Sequence, residues 1–214
     1  QLDKVYLYQL VNYNKVVLQR KKLLKELYLH PDYREVLDVL DMQLVQYGSA
    51  LIQRRQTFAE ELGEIVHRIH SQLSGGQEEM ELKYEPNVTV DAFAQMLFSN
   101  RERDMRLKTT ATGPHRDDIS FVVNGVDIRK FGSQGQQRTA ALSLKLSEIE
   151  LVKRLIGDTP VLLLDDVLSE LDSGRQNYLL NSIENIQTLI TCTGLDEFVN
   201  HRFSITRIYK VTDG

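Results

Sequence analysis

Apolar positions set the first pattern in the chain. Leu10, Tyr13, Val17, Leu24 and Leu27 recur mostly at three- and four-residue steps, which predicts an amphipathic helix. His30-Pro31-Asp32 interrupts it, because proline lacks an N–H and disfavours helix in the residue before it. A second helical pattern runs through Val36, Leu40, Leu44, Leu51, Phe58, Leu62, Ile65 and Ile69 and stops at Gly75-Gly76. At 1.5 Å per residue, a helix of about 40 residues spans roughly 60 Å. Two long helices joined by a short turn predict an antiparallel hairpin. A helix that outgrows a small globule predicts a projecting arm.

The pattern then changes. Met80, Leu82 and Tyr84 alternate as in a strand, and Asp91 to about Arg106 reads as a short helix with an acidic start. Ile119–Val123 and Val126–Ile128 flank Asn124-Gly125, the strongest short signal for a type I′ hairpin. A helix follows from about Gln137 to Leu155. Val161-Leu162-Leu163-Leu164 is an apolar run too short for a helix and predicts a strand buried in a parallel sheet. Further expectations are a helix from about Gly174 to Ile186, a buried strand at Leu189–Thr193 and a third strand at Ser204–Val211. Strand, helix, strand order predicts an α/β layer with a mostly parallel sheet.

Composition narrows the function classes. A net charge of −4 over 214 residues argues against a uniformly basic, histone-like DNA binder, while a local basic face stays possible. A single cysteine, Cys192, allows neither an intrachain disulfide nor a thiolate zinc cage, which suits a reducing, cytoplasmic setting. No apolar run approaches the roughly 20 residues of a membrane helix, so no membrane partner is expected. The opening Gln1-Leu2-Asp3-Lys4 is not a signal peptide, and its lack of Met predicts a truncated or processed chain.

Two segments carry candidate chemistry. Leu162-Leu163-Leu164-Asp165-Asp166 is an apolar strand ending in two carboxylates. In nucleotide-hydrolysing α/β folds this strand end lies beside the phosphates; the first carboxylate can hold Mg²⁺ and the next can polarise the attacking water. The same residues also fit a strand that simply ends in an acidic turn. Upstream, Ser133-Gln134-Gly135-Gln136-Gln137-Arg138 opens a helix, where free N–H groups make an anion site or a plain N-cap with polar flanks. Ser169-Glu170-Leu171-Asp172 follows the carboxylates.

Along the chain Ser133–Arg138, Leu162–Asp166 and Ser169–Asp172 resemble, in turn, the signature motif, Walker B and D-loop of an ABC-type ATPase head. With Gly113-Pro114-His115-Arg116-Asp117-Asp118 they resemble the RecF family of SMC-type DNA-repair ATPases over nearly the whole chain. The resemblance implies a helical arm domain over residues 1–108, including Lys83-Tyr84-Glu85-Pro86, and an ATPase C-terminal lobe over 109–214. It implies that ATP clamps two copies into a homodimer, that the protein binds DNA at single-strand gaps, and that it works with a RecR-like mediator to load a RecA-type recombinase. Carried over to this sequence, Ser133, Gly135 and Gln136 would bind the partner copy's γ-phosphate and Arg138 would stabilise that interface. Asp165 would serve Mg²⁺, Asp166 would be catalytic, Ser169 and Asp172 would form the D-loop, and Thr193 stands at the switch position. His115 and Arg116 belong to the motif without a derivable role.

The sequence departs from such an ATPase in having no G-x-x-x-x-G-K-[ST] loop to cradle the phosphates, a loop that the resemblance places ahead of this chain. Leu73-Ser74-Gly75-Gly76-Gln77 spells an ABC signature but ends a helix instead of starting one, so it reads as a glycine-rich stop. Basic groups at Arg20-Lys21-Lys22 with Lys25, at Arg54-Arg55, and at Arg101, Arg103, Arg106 and Lys108 fit solvated helix faces or contacts to DNA phosphates. Three readings remain open: an ATP-gated DNA-binding protein, a non-catalytic interaction module that binds a partner such as RecR, and a transporter ATPase subunit. The hairpin, Asp166 and the missing switch His count against the last.

Overall fold

The computed structural model describes residues 3–27, 31–168, 171–192 and 206–212. The first helix, α1 (Lys4–Glu26), starts at Asp3, whose carboxylate accepts the Tyr6 N–H at 2.9 Å, and a 3₁₀ turn at Pro31–Tyr33 leads into α2 (Arg34–Leu73), a helix of 40 residues. These two form the expected antiparallel hairpin. Helix α2 stops at Ser74, where Gly75 and Gly76 take positive φ values of 64° and 77° and the Gly76 N–H reaches back to the Ser71 carbonyl at 2.7 Å. Leu73–Gln77 is thus a helix stop.

Strand β1 (Met80–Glu85) pairs antiparallel with β2 (Asp118–Val123), which turns into β3 (Val126–Asp127). Asn124 and Gly125 both have positive φ, 48° and 81°, as a type I′ turn demands. Between β1 and β2 lie α3 (Val90–Ser99) and α4 (Arg101–Leu107); the single helix expected over this stretch breaks at Asn100. The short α5 (Ile128–Phe131) precedes α6 (Gln134–Ile156). Strand β4 (Leu162–Asp165) pairs parallel with β5 (Thr188–Thr191) in the register Leu163↔Leu189 and Asp165↔Thr191, and α7 (Ser173–Ser182) joins them. Among the described residues the parallel part has two strands, and the larger sheet is antiparallel. Residues 206–212 have no regular structure, so the third strand expected at Ser204–Val211 is not formed there; 204 and 205 lie outside the described residues.

Two cores share α2 as their common wall. Its first half, through Ile52, packs with Tyr13, Val16, Leu24, Val88, Phe93 and Leu97. Its second half, from Leu62 to Leu73, packs with Met80, Val123, the inner face of α6, Leu164 and α7. The boundary expected at residue 108 follows neither cluster. Nor does α2 project as a free arm along its length, because the half beyond Ala59 is buried in the α/β core. Gly48 allows the first core to close: a Cβ there would stand 2.5 Å from the Phe93 ring.

The apolar strands are not buried on both faces as expected. Leu164 is buried, but Leu163 is 71% and Leu189 55% exposed, since the helices cover one side of the two-stranded pair only. Among the described residues no helix is long and apolar enough to cross a membrane.

The hairpin is fixed by charge as well as by apolar packing. Arg20 has no exposed surface. Its guanidinium holds Asp41 at 2.6 Å, Asp104 at 2.7 Å and the Thr110 hydroxyl at 3.0 Å, and Arg101 grips Asp41 and Asp38 from outside. A buried cation with two carboxylates holds elements together and presents nothing to solvent. This removes Arg20 from the DNA-facing set. Arg55 is also turned inward, donating to the Tyr6 hydroxyl, the Pro114 carbonyl and Asp117. Arg54 is exposed and paired with Asp3 at 2.6 Å, and Lys21, Lys22 and Lys25 face solvent.

Candidate functional site

Ser133 is the N-cap of α6, and its segment forms a capping box. The Ser133 hydroxyl oxygen accepts the Gln136 N–H at 3.2 Å, and the Gln136 side-chain oxygen accepts the Ser133 N–H at 3.0 Å. Helix geometry leaves the N–H groups of Gln134 and Gly135 without an intrahelical acceptor, at the positive end of a 23-residue helix. Ser133, Gly135 and Arg138 are exposed and Gln136 is half-buried. Such an end can receive an anion from outside the chain.

Gln136 also faces inward, where its Nε2 donates to Glu78 at 3.0 Å. Glu78 follows the Leu73–Gln77 stop, and its own N–H is held by the Ser74 hydroxyl oxygen at 3.2 Å. The two signature-like segments, which the sequence suggests are independent, therefore lie side by side and are bonded through Glu78.

At the β4 end, the Thr191 hydroxyl donates to Asp165 and the Thr191 carbonyl accepts the Asp166 N–H at 3.1 Å. Asp166 takes φ 50°, the left-handed region that costs a non-glycine residue about 1 kcal/mol or more. The chain turns sharply there and both carboxylates stay exposed. Among the described residues no group of three or more His, Cys, Asp or Glu could hold a metal. One exposed carboxylate is nonetheless what Mg²⁺ takes when phosphate oxygens and waters complete its shell, so Asp165 fits that role. Beyond the carboxylates, the Leu168 carbonyl accepts Gln176 Nε2 at 2.8 Å in the interior.

Asp172 caps α7, accepting the Arg175 N–H at 3.0 Å and pairing with its guanidinium at 2.7 Å; the N–H bond first, then the Arg175 charge, holds its carboxyl below the usual range. A cleft of about 310 Å³ separates Asp172, Gly174 and Arg175 from Gln72, Leu73, Ser74 and Gly75. Ser169 and Thr193 lie outside the described residues.

The Gly113–Asp118 motif is a clasp. Gly113 has φ 132°, and a Cβ there would stand 2.3 Å from the Tyr13 hydroxyl. His115 Nε2 faces the Thr110 carbonyl at 2.9 Å, which can only accept, so Nε2 carries the hydrogen and Nδ1 accepts from the Tyr13 hydroxyl at 2.7 Å. Asp117 collects the Tyr84 hydroxyl, the Asn87 N–H at 2.9 Å and Arg55 at 2.8 Å. His115 ties α1 to the loop before β2 here, and Arg116 contacts Thr109 and Thr110 at 3.5 Å.

Sequence reasoning missed Glu78 and His70. The signal available was the Thr139, Ser143 and Ser147 spacing on α6, a small polar stripe that lies buried instead of solvated.

No protein-family model matches the chain. The chain is 58% identical over 216 residues to a DNA replication and repair protein RecF of Lachnospira eligens, covering 100% of this chain and 60% of that protein. It is 58% identical over 214 residues to its counterpart in Agathobacter rectalis, covering 100% and 59%. A solved structure described as the recombination mediator protein RecF-ATP in the RecFOR pathway superposes with a TM-score of 0.83 at 34% identity, covering 91% of this chain and 55% of that one. Another, RecF-ATPrS, gives 0.80 over 90% and 54%. The chain thus spans about three fifths of the length of the curated relatives it matches. Its α/β fold with a long helical hairpin is that of the RecF structures, and the chain belongs to the RecF family as a segment of it.

Proposed function

We propose that this chain is the part of an ATP-gated, DNA-binding recombination mediator that faces a second copy of the protein. Ser133, Gly135 and Gln136 contact the terminal phosphate of a nucleotide held by the opposite copy, and Arg138 borders that contact. Asp165 serves Mg²⁺, Asp166 orients the attacking water, and Ser169 with Asp172 lines the D-loop. ATP with Mg²⁺ supplies the phosphoanhydride at this junction. The observation that carries the reading is the exposed N-terminus of α6, where the capping box engages the Ser133 hydroxyl oxygen and leaves the backbone N–H groups of Gln134 and Gly135 without an intrahelical acceptor.

The relatives' description as DNA replication and repair proteins, and the RecFOR pathway named for the solved structures, support a role in recombinational repair with a RecR-like partner and a RecA-type recombinase. DNA contact falls to Lys21, Lys22 and Lys25 on the open face of α1; Arg54 lies beside the other end of that helix, paired with Asp3.

The reading is tested in the intact protein by Ser133→Arg, sedimented with and without ATP. Loss of the ATP-dependent dimer with unchanged nucleotide binding to the monomer is expected; dimers that persist would overturn it.

A second reading, favoured by the lack of a G-x-x-x-x-G-K-[ST] loop in this sequence, is that the chain by itself acts as a non-catalytic module binding a protein partner such as RecR. A fluorescent ATP analogue titrated into the isolated chain distinguishes the two from an error common to both. Neither reading expects the chain alone to bind it, and saturable micromolar binding would relocate the nucleotide site.

A further inference from the structure

A continuous chain of hydrogen bonds runs from the tip of α6 into α2. The Ser133 N–H donates to Gln136 Oε1, Gln136 Nε2 donates to Glu78 Oε1 at 3.0 Å, Glu78 Oε2 meets His70 Nε2 at 3.2 Å, and His70 Nδ1 meets the Ser143 hydroxyl at 3.0 Å. Ser143 lies two turns along α6, and the Thr139 hydroxyl between them returns to the Gly135 carbonyl at 2.7 Å. His70 and Ser143 have no exposed surface, and the Glu78 side chain is 19% exposed.

The proton count gives this chain a direction. Burial pushes His70 below its ordinary value of 6.5, against the raising influence of Glu78, so the ring is neutral at pH 7. Glu78 Oε2 can only accept, which puts the ring hydrogen on Nε2 and makes Nδ1 the acceptor of the Ser143 hydroxyl. That hydroxyl alternatively points at the Thr139 carbonyl, 2.8 Å away, a carbonyl that sits within the helix. The His70 and Gln136 donors then each have an acceptor on Glu78, and the Ser143 hydroxyl has two acceptors within reach. The set Ser143, His70 and Glu78 has the composition of a hydrolase triad. A fully buried hydroxyl admits no substrate, and Nε2 rather than Nδ1 faces the acid, so nucleophilic chemistry is ruled out.

Gln136 is where the chain meets the candidate phosphate contact. Its amide oxygen holds the Ser133 backbone, and its amide nitrogen is held by Glu78. With both ends engaged, a flip or swing of this side chain would break both bonds, and the turn at Ser133 shares that restraint. Glu78 is placed in turn by Ser74, whose hydroxyl oxygen accepts the Glu78 N–H. The second signature-like segment thereby acquires a physical purpose: its helix stop delivers Glu78 to Gln136.

We propose that Glu78 and His70 are positioning residues, which hold Gln136 and the Ser133 turn in the geometry that meets a nucleotide on the opposite copy and tie that geometry to the end of α2. The inference rests on the reading of Ser133–Arg138 as the phosphate contact given above.

The test uses the intact protein with Glu78→Ala and Glu78→Gln, with Ser133→Arg as reference. In Glu78→Gln the side-chain oxygen still accepts from Gln136, and its amide donates to His70 Nε2 once the ring hydrogen moves to Nδ1, so both of these bonds are restored. In Glu78→Ala the donors of Gln136 and His70 lose their acceptors. Loss of a hydrogen bond to a charged group predicts that Glu78→Ala weakens the ATP-dependent dimer about tenfold or more, while nucleotide affinity of the monomer stays unchanged. It also predicts hydrogen exchange about tenfold faster over 133–138 without nucleotide. Glu78→Gln should match the parent protein in all three. Unchanged exchange in Glu78→Ala would overturn the positioning role. So would faster exchange with an unweakened dimer, or equal loss in both variants. Dimers that survive Ser133→Arg would instead sink the phosphate reading, whatever the exchange data show. Should Glu78→Ala not fold, Glu78→Asp withdraws the carboxylate by one methylene and must shift the same readouts in the same direction.

Discussion

Tyr13 and His115 stand 102 positions apart in the chain, yet the Tyr13 hydroxyl donates to His115 Nδ1 at 2.7 Å, which ties the first helix of the hairpin to the loop that leads into β2. Tyr13 is 1% exposed, and burial pushes its phenol well above the ordinary tyrosine range, so it stays a neutral donor throughout the physiological window. Tyr13→Phe removes the donor and leaves the imidazole nitrogen unpaired. The expected loss is about 1–3 kcal/mol of unfolding free energy, measured by urea titration. A loss near zero would mean that water replaces the hydroxyl.

Buried His70 and half-buried His115 make stability depend on pH in one direction. Burial lowers both His70 and His115 below 6.5, so the unfolded chain binds more protons than the folded one just below that pH. Their contribution is complete above about pH 6.5 and declines as pH falls through 6.5 towards their folded values. The melting temperature should therefore drop between about pH 7 and 5, and His115→Gln should flatten part of that slope. A slope of the opposite sign would mean that these rings gain a proton on folding.

The buried guanidinium predicts a larger effect. Arg20→Leu leaves Asp41 and Asp104 without their shared cation, and breaking such a pair costs about 3–5 kcal/mol. Calorimetry should show a marked fall in melting temperature. If Arg20 instead touched DNA, stability would hold and only binding would fall.

Lys21, next in sequence, gives the contrasting case. It is exposed on α1, so Lys21→Glu should leave stability nearly unchanged and weaken duplex binding by the intact protein uniformly across sequences. The log–log salt slope should shrink by about 0.9 for each phosphate that the variant no longer neutralises. An unchanged slope would return Lys21 to the solvated face.

Neighbours with opposite fates show where sequence reading succeeds and where it stops. Apolar periodicity found the α1 stripe through Tyr13 and Leu24 but passed over Arg20, which lies on the same stripe, because a count of apolar residues cannot see a cation whose partners come from α2 and α4. Local chemistry was legible where one residue decides the backbone. Asn124-Gly125 turns as its type demands, and Gly75-Gly76 ends α2. Long-range coverage was not legible. Leu163 reads as core from its neighbours in sequence, yet its exposure depends on what packs on the outer face of a two-stranded sheet. The α2 stop looked like a decoy unrelated to Ser133, and only the packing of α2 on α6 brings Glu78 to Gln136.

The carboxylates at the β4 end separate binding from turnover. Asp165 is held by the Thr191 hydroxyl at the end of the strand, while Asp166 turns outward at φ 50°. If Asp165 serves the metal, Asp165→Asn in the intact protein should weaken Mg·ATP binding. A residue that orients water acts in the transition state more than in the ground state, so Asp166→Asn should preserve ATP-dependent dimers and slow hydrolysis by roughly 10²-fold or more. Asparagine tolerates the left-handed backbone as well as aspartate does, so the substitution tests charge and not strain. Steady-state hydrolysis alongside sedimentation reads both quantities. An unchanged rate in Asp166→Asn would remove the water-orienting role, and a lost dimer in the same variant would assign Asp166 to binding.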